Sequence, residues 1–217
     1  MTARMTGIQD DFLSTARAAA ALLREEAVAA AWDSASALPG FTVRGLAGHL
    51  AYQVLCIAPA LTGPEPQEPA VPLLGHYSRV GWIGAAPDAD ANVRIRQDGE
   101  DIAAGGHAGL AARVTTALEH LPAFLAAADA DRPVRIPLWG PWSLRLDDLL
   151  VTRMMEIAVH NDDLAVSAGV SAPELPERAV DTVVALLTRL ARRRHGTSAV
   201  LRALARAERA PASIAAF

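Results

Sequence analysis

Three ionisable side chains sit inside otherwise apolar helical patterns, and a chain can bury them cheaply only by bringing them together. Two lie in Glu156-Ile157-Ala158-Val159-His160-Asn161-Asp162-Asp163-Leu164, where a carboxylate and an imidazole stand four residues apart. That spacing is a little over one helical turn, so both side chains leave the same helix face. Asp163 follows three residues later on nearly that face. The third is His49, far upstream in Leu46-Ala47-Gly48-His49-Leu50. Polar groups in apolar surroundings need partners. The expectation is a fold that gathers His49, Glu156 and His160 around one metal ion, as bundles do when facing helices each contribute ligands.

Taken singly, each residue has a plainer reading. His49 alone reads as a satisfied core histidine, and a Glu-x-x-x-His pair as a helix-surface ion pair worth ~0.2–0.5 kcal/mol. Asp163 reads either as the acceptor for an imidazole N–H behind the metal or as a surface carboxylate. Tyr52 and Gln53, one turn beyond His49, line the same pocket or simply pack. Three N/O ligands would leave one position of a tetrahedral Zn²⁺ open, the mark of a catalytic rather than a structural site.

The chain has 217 residues, of which 52% are hydrophobic and 20% charged, enough for a buried core in one domain with an appended module. Alanine and leucine are abundant and aromatics make up 5%; both favour helix over strand. All 20 basic residues are arginine, yet the net charge is −4 and the pI about 5.8, so no basic face for nucleic acid is expected. The single Cys56 excludes an internal disulfide framework and reads as a buried, inert thiol. No signal segment and no unbroken apolar run of the ~18–20 residues needed to span a bilayer is apparent, so no membrane association and a cytoplasmic location are expected.

Hydrophobic periodicity predicts a long helix over 6–32 capped by Thr6, and a second from Thr42 through Leu61. The proline-rich 63–75 stretch is a loop, with a lid over a cleft as one role for it. A short helix is predicted around 76–83, no definite structure over 88–99, and a helix over 101–128 that Pro122 bends or interrupts. Val134, Ile136 and Leu138 alternate, predicting a small hairpin that turns at Trp139-Gly140-Pro141-Trp142 and returns over 143–145. A helix over 146–168 follows, ended by Gly169. Pro176 opens another through Arg194, then a short helix over 198–208 and a tail. His107 and His120 read as packing or surface residues.

Two blocks, Phe41-Thr42-Val43-Arg44-Gly45-Leu46-Ala47-Gly48-His49-Leu50-Ala51 and Arg153-Met154-Met155-Glu156-Ile157-Ala158-Val159-His160-Asn161-Asp162-Asp163-Leu164, resemble the signature blocks of the mycothiol-dependent maleylpyruvate isomerase family, within the DinB/YfiT-like metal-binding group. The segment Arg202-Ala203-Leu204-Ala205-Arg206-Ala207-Glu208-Arg209-Ala210-Pro211 resembles actinobacterial members. The resemblance implies an all-α, DinB-like four-helix bundle over 1–170, with a small β-hairpin before its last helix and a C-terminal helical extension over 171–217. It implies His49, Glu156 and His160 as ligands of zinc or another divalent metal, and mycothiol or a similar thiol as cofactor. The chemistry implied is isomerisation of, or S-transfer to, a small electrophile. One departure stands out: the family's isomerase has a further C-terminal domain with a substrate-handling arginine, and no position here maps to it. A metal-dependent hydrolase, favoured if Asp163 serves as a pocket base, and a non-catalytic metal or small-ligand binding protein are the alternatives. Homodimerisation is left open.

Overall fold

The computed structural model describes residues 5–137 and 140–217. Four helices form the central bundle: α1 (Gly7–Leu22), α3 (Val43–Leu55), α7 (Gly106–Ala127) and α8 (Leu146–Ala168). Each of α1 and α3 packs against both α7 and α8, which closes the square. One continuous core fills it, built from residues such as Phe12, Leu46, Leu50, Val114, Met154 and Ile157. The expected all-α bundle is therefore present, and a two-stranded hairpin, β1 (Pro133–Val134) with β2 (Leu144–Arg145), immediately precedes α8. The predicted strand ran on to Leu138 and the turn began at Trp139; both residues lie outside those described.

The bundle helices start and stop where local chemistry dictates. Thr6 and Gln9 form a reciprocal capping box on α1. Thr42 accepts a hydrogen bond from the Gly45 N–H at 2.9 Å to open α3. Gly169, at φ 70°, ends α8 in the left-handed conformation. Beyond it, α9 (Glu177–His195) packs on α8 and α1, and α10 (Thr197–Ala205) on α9. The Arg178 Nε–H, 2.8 and 2.9 Å from the two oxygens of the buried Asp11 carboxylate, ties α9 to α1.

Four predicted boundaries are corrected. The long first helix breaks after Leu22, and α2 (Glu26–Ala30) follows a turn. Fully buried Val28 is out of helical phase with Leu23, so one straight helix could not bury both. The second helix divides at Cys56 into α3 and α4 (Ile57–Thr62), because Pro59 has no N–H to return to the Leu55 carbonyl. Near His76 the helix is α5 (Leu73–Tyr77), earlier than predicted. The predicted 101–128 helix is two: α6 (Asp90–Ile102), where no definite structure was expected, and α7, separated by a turn at Gly106 with φ 77°. Pro122 does not interrupt α7.

Helix α6 has a polar sequence because it packs through backbone. A Cβ on Gly48 would fall 1.9 Å from the Gly99 carbonyl oxygen, and one on Gly99 would fall 2.3 Å from that of Gly45. Glu100 adds hydrogen bonds from Thr42 Oγ1 and Arg44 Nε at the same junction. The stretch Val43–Thr62 is long and apolar enough to cross a bilayer by length and composition, which the sequence expectation missed. Its most apolar window is 61% buried inside the fold, as a core helix would be.

Gly48→Ala is expected to destabilise the protein by roughly 1–3 kcal/mol through overpacking. Gly105→Ala, with nothing within 4 Å of the added methyl, serves as the control. Urea unfolding measures both, and a Gly48→Ala midpoint equal to wild type would refute the close approach.

Candidate metal centre

The α3 and α8 helices face each other across the bundle and carry the three predicted residues to one place. His49 Nε2 is 3.7 Å and His160 Nε2 3.2 Å from the same oxygen, Oε2 of Glu156. The rings of His49 and His160 meet edge to face at 4.7 Å. One ligand atom from each residue lies within 4.8 Å of the others, a set that could hold a metal ion. Ligand atoms around a tetrahedral ion with ~2.0–2.1 Å bonds stand roughly 3.3 Å apart. The two distances to Glu156 Oε2, 3.7 and 3.2 Å, fall around that value, and the donor set suits such an ion.

Asp163 lies behind the cluster: its Oδ2 is 3.0 Å from His160 Nδ1. A carboxylate there holds the hydrogen on Nδ1 and leaves Nε2 facing Glu156. Gln53, fully buried, donates to the His49 carbonyl at 2.9 Å and accepts from Arg153 Nη1 at 2.6 Å. Its amide nitrogen is also 3.4 Å from His49 Nε2. Tyr52 and Gln53 both line the cavity described below.

These contacts set the protonation states. Burial alone would raise the Glu156 carboxyl, but hydrogen bonds from His160 and His49 outweigh it and hold it well below the ordinary carboxylate range. Burial also disfavours protonated His160, yet Asp163 and Glu156 overcome that and raise it to about 9. For His49 burial wins over Glu156, and its pKa is lowered.

The cluster sits at the wall of a cavity of about 720 Å³, of the size used by small-molecule sites. Phe41, Ile136, Met155 and Val159 give it apolar sides. From the stretch after the proline-rich loop, the cavity takes residues between His76 and Pro87, and then the inner face of α6. The 63–75 loop itself is not a lid: Val71 N–H donates to the Ser143 carbonyl at 3.0 Å, and Glu68 pairs with Arg135 at 3.2 Å, pinning it to the hairpin. The tail is not loose either. Phe217 lines the cavity, its ring 4.8 Å from Trp82 and 6.2 Å from Tyr77.

Several cavity residues escaped the sequence reading. Arg153 is buried and lies one turn before Glu156, a spacing that was legible. His76 accepts at Nδ1 from Trp142 Nε1 at 3.1 Å, and burial depresses its pKa to about 4. That pair joins a helix end to the hairpin, and no local pattern marks it. His107 meets Trp32 edge to face and His120 is exposed; neither joins the site.

Fold and site together define the class: an all-α, DinB-like helical bundle with a His–Glu–His cluster of metal-binding type beside a ligand-sized cavity. Residues 13–165 match the family model of the mycothiol maleylpyruvate isomerase N-terminal domain, and the chain belongs to that family. No curated protein and no solved structure matches the chain.

In metal-free protein, the His160 ring resonances are expected to titrate near pH 9. Asp163→Asn should bring the midpoint back toward 6.5. Because the fold raises this pKa, the associated stability is fully present below about 6.5 and is lost as pH climbs through about 9. An NMR titration with an ordinary midpoint in wild type would refute the Asp163 contact.

Proposed function

We propose that His49, Glu156 and His160 hold a divalent metal, zinc first among candidates, and that the chain uses a low-molecular-weight thiol of the mycothiol type. The reaction is isomerisation of, or S-transfer to, a small electrophile. The observation that carries this reading is the convergence of two imidazole Nε2 atoms on one carboxylate oxygen beside an open cavity. With three ligands among the described residues, a tetrahedral ion keeps one position for an incoming group. The chemistry it supplies there is positive charge, which lowers the pKa of a bound thiol or water.

The chain's own residues support the thiol reading over hydrolysis. Cys56, its single cysteine, is 8% exposed, and burial pushes the thiol up to about 11, so it is not a nucleophile. On this reading the reactive thiol comes from outside, and the cavity has room for one. Hydrolysis would need a positioned general base. Asp163, the carboxylate considered for that task, is engaged with His160 Nδ1 and does not line the cavity. It positions the imidazole instead. Gln53 braces the α3 backbone at His49.

Elemental mass spectrometry of tag-free protein tests the foundation. Near-stoichiometric zinc is expected in wild type, with most of it lost in His160→Ala, and mycothiol is expected to bind only the metal-loaded form. Wild-type protein that neither contains metal nor takes up added zinc would sink this reading.

A further inference from the structure

Helix α9 carries two apolar stripes. Ala179, Val183, Leu186 and Leu190 are buried, and α9 packs on α8 and α1. Displaced by one residue runs a second stripe, Val180, Val184, Leu187 and Ala191. Its first half faces outward: Val180 is 39% and Val184 53% exposed. Its second half, Leu187 and Ala191, lines an open groove of about 240 Å³ together with Val200 and Leu204 of α10 and Ile214 and Ala216 of the tail. Apolar side chains scattered singly over a surface need no explanation, but a stripe at helical spacing that runs into an apolar groove does.

The stripe reads the same in both directions. From Glu177 through Val180, Val184, Leu187 and Ala191 to Arg194, the steps are three, four, three, four and three residues. That is the heptad spacing that keeps a seam on one helix face. A two-fold axis crossing α9 between Ala185 and Leu186 therefore sets Val184 of one copy on Leu187 of another, Val180 on Ala191, and Glu177 on Arg194. The exposed valines of each copy meet the groove of the other, with a small alanine opposite each Val180. Charge fixes the direction. Glu177 lies in the first turn of α9, and Arg192, Arg193 and Arg194 lie in the last. Glu177 and Arg194 are both exposed, and neither forms an ion pair among the described residues. Antiparallel pairing brings these opposite charges together and opposes the two helix dipoles. Parallel pairing would stack the arginines on their own copies.

We propose that the outward face of α9, with the groove beside α10, is the docking surface for a second copy of this chain, the two α9 helices lying antiparallel about a two-fold axis. Knobs, groove and charges on one helix make the patch self-complementary, which a closed dimer requires. The groove shares no residue with the cavity beside the His–Glu–His cluster, so the proposal is independent of the metal reading. The contact does cover Ile214 and Ala216, in the tail that carries Phe217 to the cavity wall.

Sedimentation equilibrium of the full chain, from micromolar to near-millimolar concentration, is expected to show a monomer–dimer equilibrium. Val184→Asp, which leaves two unpaired carboxylates in the interface, should weaken the dimer at least about tenfold. Glu177→Arg and Arg194→Glu should each weaken it severalfold. The double variant Glu177→Arg/Arg194→Glu should recover it, because the two-fold again sets opposite charges together. Circular dichroism melts report that each variant is folded, and Val184→Ser replaces Val184→Asp if the latter is not. Wild type that stays monomeric throughout overturns the proposal, including a monomer that instead sediments with phosphatidylglycerol vesicles through its arginines. A dimer that the Val184 variant leaves unchanged overturns it too, as does a double variant no tighter than the two single ones.

Discussion

One carboxylate oxygen organises this molecule. Glu156 Oε2 lies between an imidazole from α3 and another from its own helix, in the middle of an otherwise apolar bundle. A buried anion is tolerated only when its neighbours answer its charge. That need fixes the rotation of α8, because Glu156, His160 and Asp163 must all lie along one stripe. It also fixes the register of α3 against α8, because His49 reaches across to it just as Gln53 reaches across to Arg153. The surrounding residues, Phe12, Leu46, Leu50 and Ile157 among them, pack at zero exposure and leave the cluster no room to drift.

The second constraint is the contact of α3 with α6. Side chains usually set helix separation, but here Gly45, Gly48 and Gly99 let two backbones touch. The close approach places the inner face of α6, with Ile95 and Asp98, against the same helix that carries His49. A methyl group at Gly48 would push that wall outward. The His–Glu–His cluster and the cavity wall are thus coupled through a short piece of α3: one side holds His49, the other holds the glycines.

This coupling explains what could and could not be read from the chain. Helices whose burial comes from side chains leave a period in the sequence, and α8 was legible to the residue, with Gly169 as its stop. The convergence of His49, Glu156 and His160 was legible for the same reason, since a histidine inside an apolar stripe is conspicuous. Helix α6 was missed because its sequence is polar overall and it packs through backbone; its one buried residue is a glycine. Val28 and Pro59 broke predicted helices by phase and by a missing N–H, both small local signals inside long apolar runs. The cavity's other groups come from separate places: His76 meets Trp142 across 66 positions and Phe217 folds back onto Trp82. Such pairings exist only once the chain has folded.

The resulting site divides its tasks by element. The groups that would hold a metal come from α3 and α8, in the rigid interior, where a supporting contact stands behind His160 and the His49 backbone. The groups that meet a ligand's outer portion come from 79–98, the hairpin and the tail, where several side chains are half-buried or exposed. Changes in those segments can alter what enters the cavity without disturbing the bundle core, which is how one scaffold serves different substrates. Arg153 stands between the two zones. It belongs to α8 and to the rigid interior, where it donates to Gln53 at 2.6 Å, and it also lines the cavity that the outer wall closes.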